Sequence, residues 1–579
     1  MIQDLISLIF LIGLSLIPRL SLLYFKGFEI FNADHAVMGL MAKHILEGKP
    51  MVYYYGQGYM GSLEAFVAAF IFLFRGMSII SVQFAPLVFF LGFLAVNFYL
   101  LKMIAGRETT FVANLLLAIS PPALSQLSVT ALGGYPETLF FGSLVTFGFF
   151  YYQKSPSVKT LFLTSLAAGI GFWVNNLIIL YFFALGILAF LNQSSFKTMT
   201  FKKILLLENK RITRLLRIAG ILIHLGILFF VIWNIVSFFT GSALHMGSLQ
   251  IKMASPPFLI KKVKKIIYIL IGEISVLYLF SREKPLIAKE LKSIFPMAAG
   301  FVLGALPLIL HSLLGGEGYR VIHGSGTILA REFPSQFWMV MGHGLVGGVL
   351  GLPLAYFNAW SWLIFAISMG LLLYFCLLLH RQSEASKSYF LFPLLLTITV
   401  LIVCLFSNLT ADRYLIPIYF SISWMVAVSL TQIKKKNPFL AVLLLVFILG
   451  NNAYANYRFI QQLPDSRRVK IGHYSVLALL NEKGIRGGYA HYVISYVLTL
   501  ESQEKIIFAP YRSPDRYPAY TRYVDGLERV AYVFNQDAPI VSSFQSGMDQ
   551  NKISYEKNWV DPFWVFVIDR RAGTEKGKV

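Results

Sequence analysis

Asp34 lies in Phe31-Asn32-Ala33-Asp34-His35-Ala36, just past an apolar stretch that begins at Leu5. Behind it runs Tyr53-Tyr54-Tyr55-Gly56-Gln57-Gly58-Tyr59. A carboxylate at a membrane face suits a general base that takes a proton from a hydroxyl. Tyr55, Gln57 and Tyr59 offer phenols and an amide to a substrate that is half lipid and half polar. The plain alternative for Asp34 is a solvated loop acid. A second acid, Glu137, follows Leu132-Gly133-Gly134-Tyr135-Pro136. It is a catalytic candidate too, although proline and a carboxylate in a first turn also make an ordinary helix start. Arg413 and Tyr414 stand in Ala411-Asp412-Arg413-Tyr414-Leu415-Ile416-Pro417. The planar guanidinium can grip a phosphate with two parallel hydrogen bonds, or simply snorkel to lipid headgroups.

The segment 315–358 reads as a long loop and carries Arg320 and Arg331 as further anion-contacting candidates. His323 and His343 could join Glu64 or Glu317 at a metal, yet no spacing demands one. Glu64 and His323 are therefore weak metal candidates. No HExxH and no P-loop is present, and no GxGxxG fingerprint is read as placed between a strand and a helix. Cys376 and Cys404 both fall in apolar runs and read as packing residues, without disulfide or metal spacing.

The elements that must position these residues are membrane helices. The chain has 579 residues, 57% of them hydrophobic and 13% charged, with mean hydropathy +0.66. Its apolar runs reach the ~20 residues that cross a bilayer core. The reading is a polytopic α-helical membrane protein of about 13 spans, near 5–25, 79–101, 109–127, 138–152, 160–174, 177–191, 218–239, 266–280, 294–314, 359–379, 389–406, 414–433 and 438–455. The first run lacks a basic start and a small-residue cleavage site, so it reads as a retained span. The apolar stretch Ser62 to Phe74 is short and reads as a helix lying at the membrane face.

The net charge of +22 is explained by basic cytoplasmic loops rather than by nucleic acid. Residues 197–217, Lys434-Lys435-Lys436, Lys102 with Arg107, and Lys154 with Lys159 fall on one side if 62–74 does not cross. The N-terminus is then inside, and Asp34, Glu137, 315–358 and Arg413 share the outer face. Lys261, Lys262, Lys264 and Lys265 disagree with this count. After about Asn456 the composition shifts to mixed charge with more Tyr, Pro and Gly. Strands are expected at 505–509, 530–534 and 564–569 and a helix at 475–482 ended by Gly484, forming a small extramembrane α/β domain over 456–579. The membrane domain is 1–455, with a first outer loop at 26–78. The run Tyr511-Arg512-Ser513-Pro514-Asp515-Arg516-Tyr517 reads as structural.

These residues resemble the GT-C superfamily of polyprenyl-phosphate-sugar glycosyltransferases, of the protein O-mannosyltransferase and lipid A aminoarabinose transferase type. The resemblance rests on the acidic first outer loop at Asp34, the acid Glu137 in the second, and Arg413-Tyr414-Leu415-Ile416-Pro417 entering a late span. It covers the membrane part. His35 stands where many relatives carry Glu, and Gly56-Gln57-Gly58-Tyr59-Met60-Gly61 where many carry a Pro-Pro-Leu turn.

The resemblance implies an inverting transferase, moving a hexose or pentose from a lipid phosphate in the outer leaflet to an acceptor hydroxyl. Asp34 would be the base and Arg413 the countercharge to the leaving phosphate. The acceptor would be a lipid, glycan or protein, and the partners include membrane lipids but no nucleic acid. A lipid monophosphate can leave on protein cations, so a divalent metal is compatible but not required. Two alternatives are an O-antigen ligase or polymerase using a diphosphate-linked glycan, and a lipid or sugar transporter. Transporters place acids and broken helices at the bilayer midplane of pseudo-symmetric halves, whereas here the polar candidates lie at one face and no repeat is seen.

Overall fold

The computed structural model describes residues 2–192, 245–246, 249–250, 284–314, 333–352, 358–382, 384–406, 409 and 411–570. The expected spans at 218–239 and 266–280, and the basic segment 197–217, lie outside the described residues. The chain divides into two compact units. One holds Met1–Leu16, Phe89–Ser125 and Tyr135–Asn456, the other Ile17–Val88, Gln126–Gly134 and Tyr457–Val579.

Among the described residues, six helices are long and apolar enough to cross a membrane: Ile2–Lys26, Ile79–Ala105, Ala359–His380, Lys387–Leu405, Asp412–Lys434 and Pro438–Gln462. Two expected spans are interrupted. The 294–314 stretch is two helices, Ile294–Gly304 and Leu306–Leu313, meeting at 68°. Pro307 is the cause: it lacks an N–H and crowds the preceding turn. The 109–127 stretch is Arg107–Ala118 followed by Pro122–Leu127, broken by the pair Pro121-Pro122. The carbonyls freed there are recaptured within the same unit. Asn452 Nδ2 donates to Ile119 O at 2.9 Å and Asn456 Nδ2 to Ser120 O at 2.7 Å. An apolar surrounding leaves no water to do so.

The segment expected to be a loop at 315–358 is helical where it is described. Phe333–Phe337 is α-helical, and Trp338–Val349 continues with the wider i→i+5 spacing. Its apolar residues pack on one side at Val340 and Val349 and leave Phe337, Trp338 and Met339 exposed on another.

In the first unit the helices Val158–Val174 and Lys284–Gly304 approach backbone to backbone. A Cβ on Gly169 would lie 2.2 Å from Phe301 O, one on Gly300 2.4 Å from Phe162 O, and one on Gly304 2.3 Å from Leu166 O. Gly300 and Gly304 are four residues apart and so share a face. This is the small-residue packing that membrane helices use when lipid removes the hydrophobic drive to associate.

The second unit contains a five-stranded sheet ordered Ile507–Pro510, Gly487–Ala490, Arg529–Asn535, Phe563–Asp569, Tyr555–Val560. The first three strands are parallel and the last two antiparallel. The helices Tyr492–Glu501 and Pro518–Asp525 make the two crossovers. The three expected strands and the helix ending before Gly484 are all present. The helix is longer than expected, Arg467–Glu482. The strands Gly487–Ala490 and Tyr555–Val560 lack a strong alternating pattern and were not expected.

The same unit contains the helix Ala33–Leu46, the hairpin Tyr53–Tyr54 with Gln57–Gly61, and the helix Leu63–Arg75. Asn32 caps the first helix, accepting from the Asp34 N–H at 2.9 Å and the His35 N–H at 3.3 Å. Ala36, Val37, Met38, Leu40, Met41 and Ala42 are fully buried. Each of the larger ones contributes about 2 kcal/mol on removal from water. Gly39 lets Leu500 and Val82 within 2.8 Å of where a Cβ would stand, so the 33–46 helix seats directly on the 492–501 helix.

Candidate active site

Asp34 occupies the first turn of the 33–46 helix, where the N-terminal dipole suits a carboxylate. Its side chain keeps 27% exposure. Three groups of the same unit converge on one oxygen, Oδ1. Tyr54 Oη donates to it at 3.3 Å and to the Asp34 carbonyl at 2.7 Å. Tyr492 Oη donates a short hydrogen bond to it. Arg516 Nη2 lies 3.3 Å away as an ion pair. Oδ2 has no hydrogen-bond partner among the described residues. Burial, and then the Asp34 charge, push the Tyr54 and Tyr492 phenols well above their ordinary range, so both stay protonated and donate.

The hairpin shapes the next layer. Gly56 has φ +69, and a Cβ there would stand 3.2 Å from Arg516 Cα. Glycine is needed both for the left-handed backbone and for the approach of Arg516. Gln57, with its amide oriented as its neighbours require, accepts from Arg516 Nη2 at 2.6 Å and Nη1 at 2.8 Å and donates to Tyr59 Oη at 3.1 Å. Arg516 Nε donates to Tyr492 Oη at 3.2 Å. Gln57 and Tyr59, both sequence-derived candidates, therefore join Asp34 through Arg516.

Tyr55 takes a different place. It is 5% exposed, its ring stacks on Tyr517 at 4.4 Å, and its hydroxyl meets His44 Nδ1 at 2.6 Å. His44 Nε2 lies 2.9 Å from Glu504 Oε1, and Tyr520 Oη donates to that same oxygen at 2.5 Å. Lys43 Nζ binds both Glu504 and Glu47. His44, Glu47 and Glu504 bring metal-capable atoms within 4.8 Å of one another. The Lys43 ammonium already supplies the positive charge there.

Burial alone raises the Glu504 carboxyl, but His44, Lys43 and Tyr520 outweigh it and bring it down to about 2 from 4.5. A lowered carboxyl contributes stability that is complete above pH 4.5 and is lost as pH falls towards 2. The unfolding temperature is accordingly expected to drop between about pH 5 and 3. In Glu504→Gln it starts lower and falls less steeply over that range. Equal slopes in a differential scanning fluorimetry series would rule out this cluster as the acid-sensitive tie.

His35, the residue that distinguishes this loop, is completely buried, 5.1 Å from the Phe31 ring and edge-on to it. Burial lowers it to about 4, against the opposing pull of the Asp34 charge. It is neutral at pH 7 and gives Asp34 no cation.

Glu64 is fully buried at the start of the 63–75 helix, and its Oε2 accepts from the Gly133 N–H at 2.8 Å. Gly133 and Gly134 have φ +82 and +83, a turn that side chains rarely tolerate. Glu64 thus holds the Gly133–Gly134 turn. Gly133→Ala is expected to lower stability by about 1–2 kcal/mol through backbone strain; an unchanged urea midpoint would exclude that strain.

In the other unit, Glu137 is fully buried in the first turn of the helix Tyr135–Lys154. The Arg413 guanidinium lies 5.6 Å from the Tyr135 ring centre and 5.4 Å from that of Tyr414, which is itself buried. Arg320, Arg331 and His323 lie outside the described residues. Sequence reasoning missed Tyr54, Tyr492 and Arg516 as partners of Asp34. Arg516 belongs to the run read as structural, and nothing local ties it to a residue 482 positions earlier.

No family model matches the chain, and no curated protein matches its sequence. Among solved structures, ArnT from Cupriavidus metallidurans bound to undecaprenyl phosphate aligns at 12% identity over 96% of this chain and 97% of that one, with TM-score 0.39. The Archaeoglobus fulgidus oligosaccharyltransferase, solved in complex with zinc and sulfate, aligns at 12% identity over 91% of this chain and 67% of that one, with TM-score 0.50. The fold of this chain is thus similar to that of the Archaeoglobus fulgidus oligosaccharyltransferase.

Proposed function

We propose that the protein is a membrane-embedded inverting glycosyltransferase. It moves a hexosyl or pentosyl group from a polyprenyl-phosphate donor to a hydroxyl of a lipid, glycan or protein acceptor. The observation that carries this reading is the Asp34 carboxylate, which is anchored through one oxygen and has the other available to a proton. Such a group is set up to remove a proton from an attacking hydroxyl. The acceptor oxygen then bonds to the anomeric carbon as the phosphate departs from the opposite face, which inverts the configuration.

Glu137, Arg413 and Tyr414 are assigned by the resemblance: Glu137 as a second catalytic carboxylate, Arg413 as countercharge to the leaving phosphate, and Tyr414 beside it as a substrate contact. Tyr55, Gln57 and Tyr59 are assigned to substrate contact, with Arg320 and Arg331 as further phosphate contacts. We assign about 13 spans over 1–455, an N-terminus inside, and an extracytoplasmic α/β domain over 456–579. The reaction requires no metal on this reading and is compatible with one.

Mass spectrometry of lipids, surface glycans and glycoproteins from cells with and without the gene tests this directly. One species lighter by a single sugar residue is the expected outcome of deletion. Unchanged glycosylation, with a lipid or sugar accumulating on one side of the membrane, would instead make the protein a transporter.

A further inference from the structure

The groups that restrain Asp34 come from the far end of the chain. Tyr492 follows the strand Gly487–Ala490, and Arg516 follows the strand Ile507–Pro510. These strands are adjacent and parallel, so both residues emerge at the same carboxyl edge of the sheet. Open α/β sheets present their functional groups at that edge, because the crossovers leave a crevice there. The Arg516 segment is itself built to hold position. Tyr496 Oη accepts the backbone N–H of Arg516 at 2.7 Å and of Tyr517 at 3.0 Å, and donates to Asp515 Oδ1 at 3.0 Å. Asp515 Oδ2 accepts from Thr521 Oγ1 at 2.6 Å. A solvated turn needs none of these bonds.

We infer that Arg516 and Tyr492 are positioning residues of the catalytic centre. They clamp Oδ1 of Asp34 so that Oδ2 is the oxygen that accepts the proton. The inference rests on the reading of Asp34 as the base. Its geometry is specific, since three donors share one oxygen while the second is left open at a partly exposed site. The clamp fixes the carboxylate against rotation, which would otherwise exchange the two oxygens. The charged and titratable groups facing it are Arg516, Tyr492, Tyr54 and, from its own helix, neutral His35. Arg516 is the only cation in that set. A misaligned base costs up to about 100-fold in rate even when the protein is otherwise sound.

The test uses the full-length protein in detergent and needs no knowledge of the sugar. Dicyclohexylcarbodiimide modifies protonated carboxyls, and peptide mass spectrometry reads the labelled fraction of Asp34 as a function of pH. In Tyr492→Phe and Arg516→Gln, the labelled fraction at a given pH is expected to rise, because each variant removes a donor or a cation from Oδ1. Arg516→Lys, which keeps the charge, should restore most of the wild-type profile. In cells, the product that depends on this gene should fall tenfold or more in the Gln variant while its melting temperature stays within a few degrees of wild type. Tyr492→Phe removes one oxygen and serves as the variant least disposed to misfold. Labelling profiles that superimpose on wild type in both variants overturn the clamp, whatever the activity. Full product formation by Asp34→Asn overturns the base instead, and the labelling series still reads the clamp separately.

Discussion

Asp34→Asn is expected to abolish sugar transfer and to leave the protein folded. Asparagine keeps the size of the side chain and can still accept from Tyr54 and Tyr492 through its one carbonyl oxygen. It cannot take a proton. General-base catalysis contributes about 10²- to 10⁴-fold, so the gene-dependent glycan should fall below detection in most assays. The ion pair with Arg516 is lost as well. It is partly exposed, and its contribution to stability is about 1 kcal/mol or less. The check is complementation of a deletion strain, followed by mass spectrometry, with melting temperature measured on the purified variant. A variant that restores the product in full removes Asp34 from the chemistry.

The second large effect is on folding. Replacing Gly300 or Gly304 by Leu should leave little folded protein. A Cβ alone would meet backbone oxygen at 2.4 and 2.3 Å, and a backbone atom cannot turn aside as a flexible side chain can. The two helices must separate, which forfeits the close contact along their length. Overpacking typically costs about 1–3 kcal/mol per site, and here the obstacle is on the main chain of a neighbouring helix. Gly370→Ala is the matched control, since nothing lies within 4 Å of a Cβ there. It should be neutral or gain a few tenths of a kcal/mol to about 1 from helix propensity. Monodisperse, wild-type-stable Gly304→Leu protein on size-exclusion chromatography and thermal melting would show that these helices do not pack through their glycines.

Composition and periodicity revealed the six helices long and apolar enough to cross a membrane among the described residues, because the bilayer imposes a length and a polarity that few other environments demand. They did not reveal the breaks at Pro121-Pro122 and Pro307 as breaks, since hydropathy averages over a window and a single missing N–H does not change the average. The strands at 529–535 and 563–569 were legible from their β-branched and aromatic residues. Gly487-Gly488-Tyr489-Ala490 was not, because its place as a central parallel strand comes from its neighbours rather than from its own propensity. A Cβ on Gly488 would meet Ala531 O at 2.4 Å, so the glycine serves the closeness of the sheet.

Among the candidate site residues the difference is sharper. Asp34 was conspicuous as an acid beside an apolar run. Gln57 and Tyr59 were conspicuous as polar residues in the same loop. Their shared partner, Arg516, sits in a Pro- and Tyr-rich turn that looks like any other surface turn. Local pattern exposes a reactive group, but the groups that aim it are chosen by topology, and topology is not written in any short window. Glu64 shows the same limit from the other direction. Read alone it is a spare carboxylate; in the fold it holds the Gly133–Gly134 turn.

Asp34 and Arg516 are 482 residues apart in the chain. At roughly 5–20 residues per second of synthesis, the second is made about 25–100 s after the first. On the reading given above, a chain still short of Arg516 works at about a tenth of its full rate or less. A ribosome that stalls, or a message cut short, upstream of residue 492 leaves an acid held by Tyr54 alone. Synthesis through Arg516 becomes the step that brings full activity, and no separate inhibitor is required to slow a copy that has not reached it.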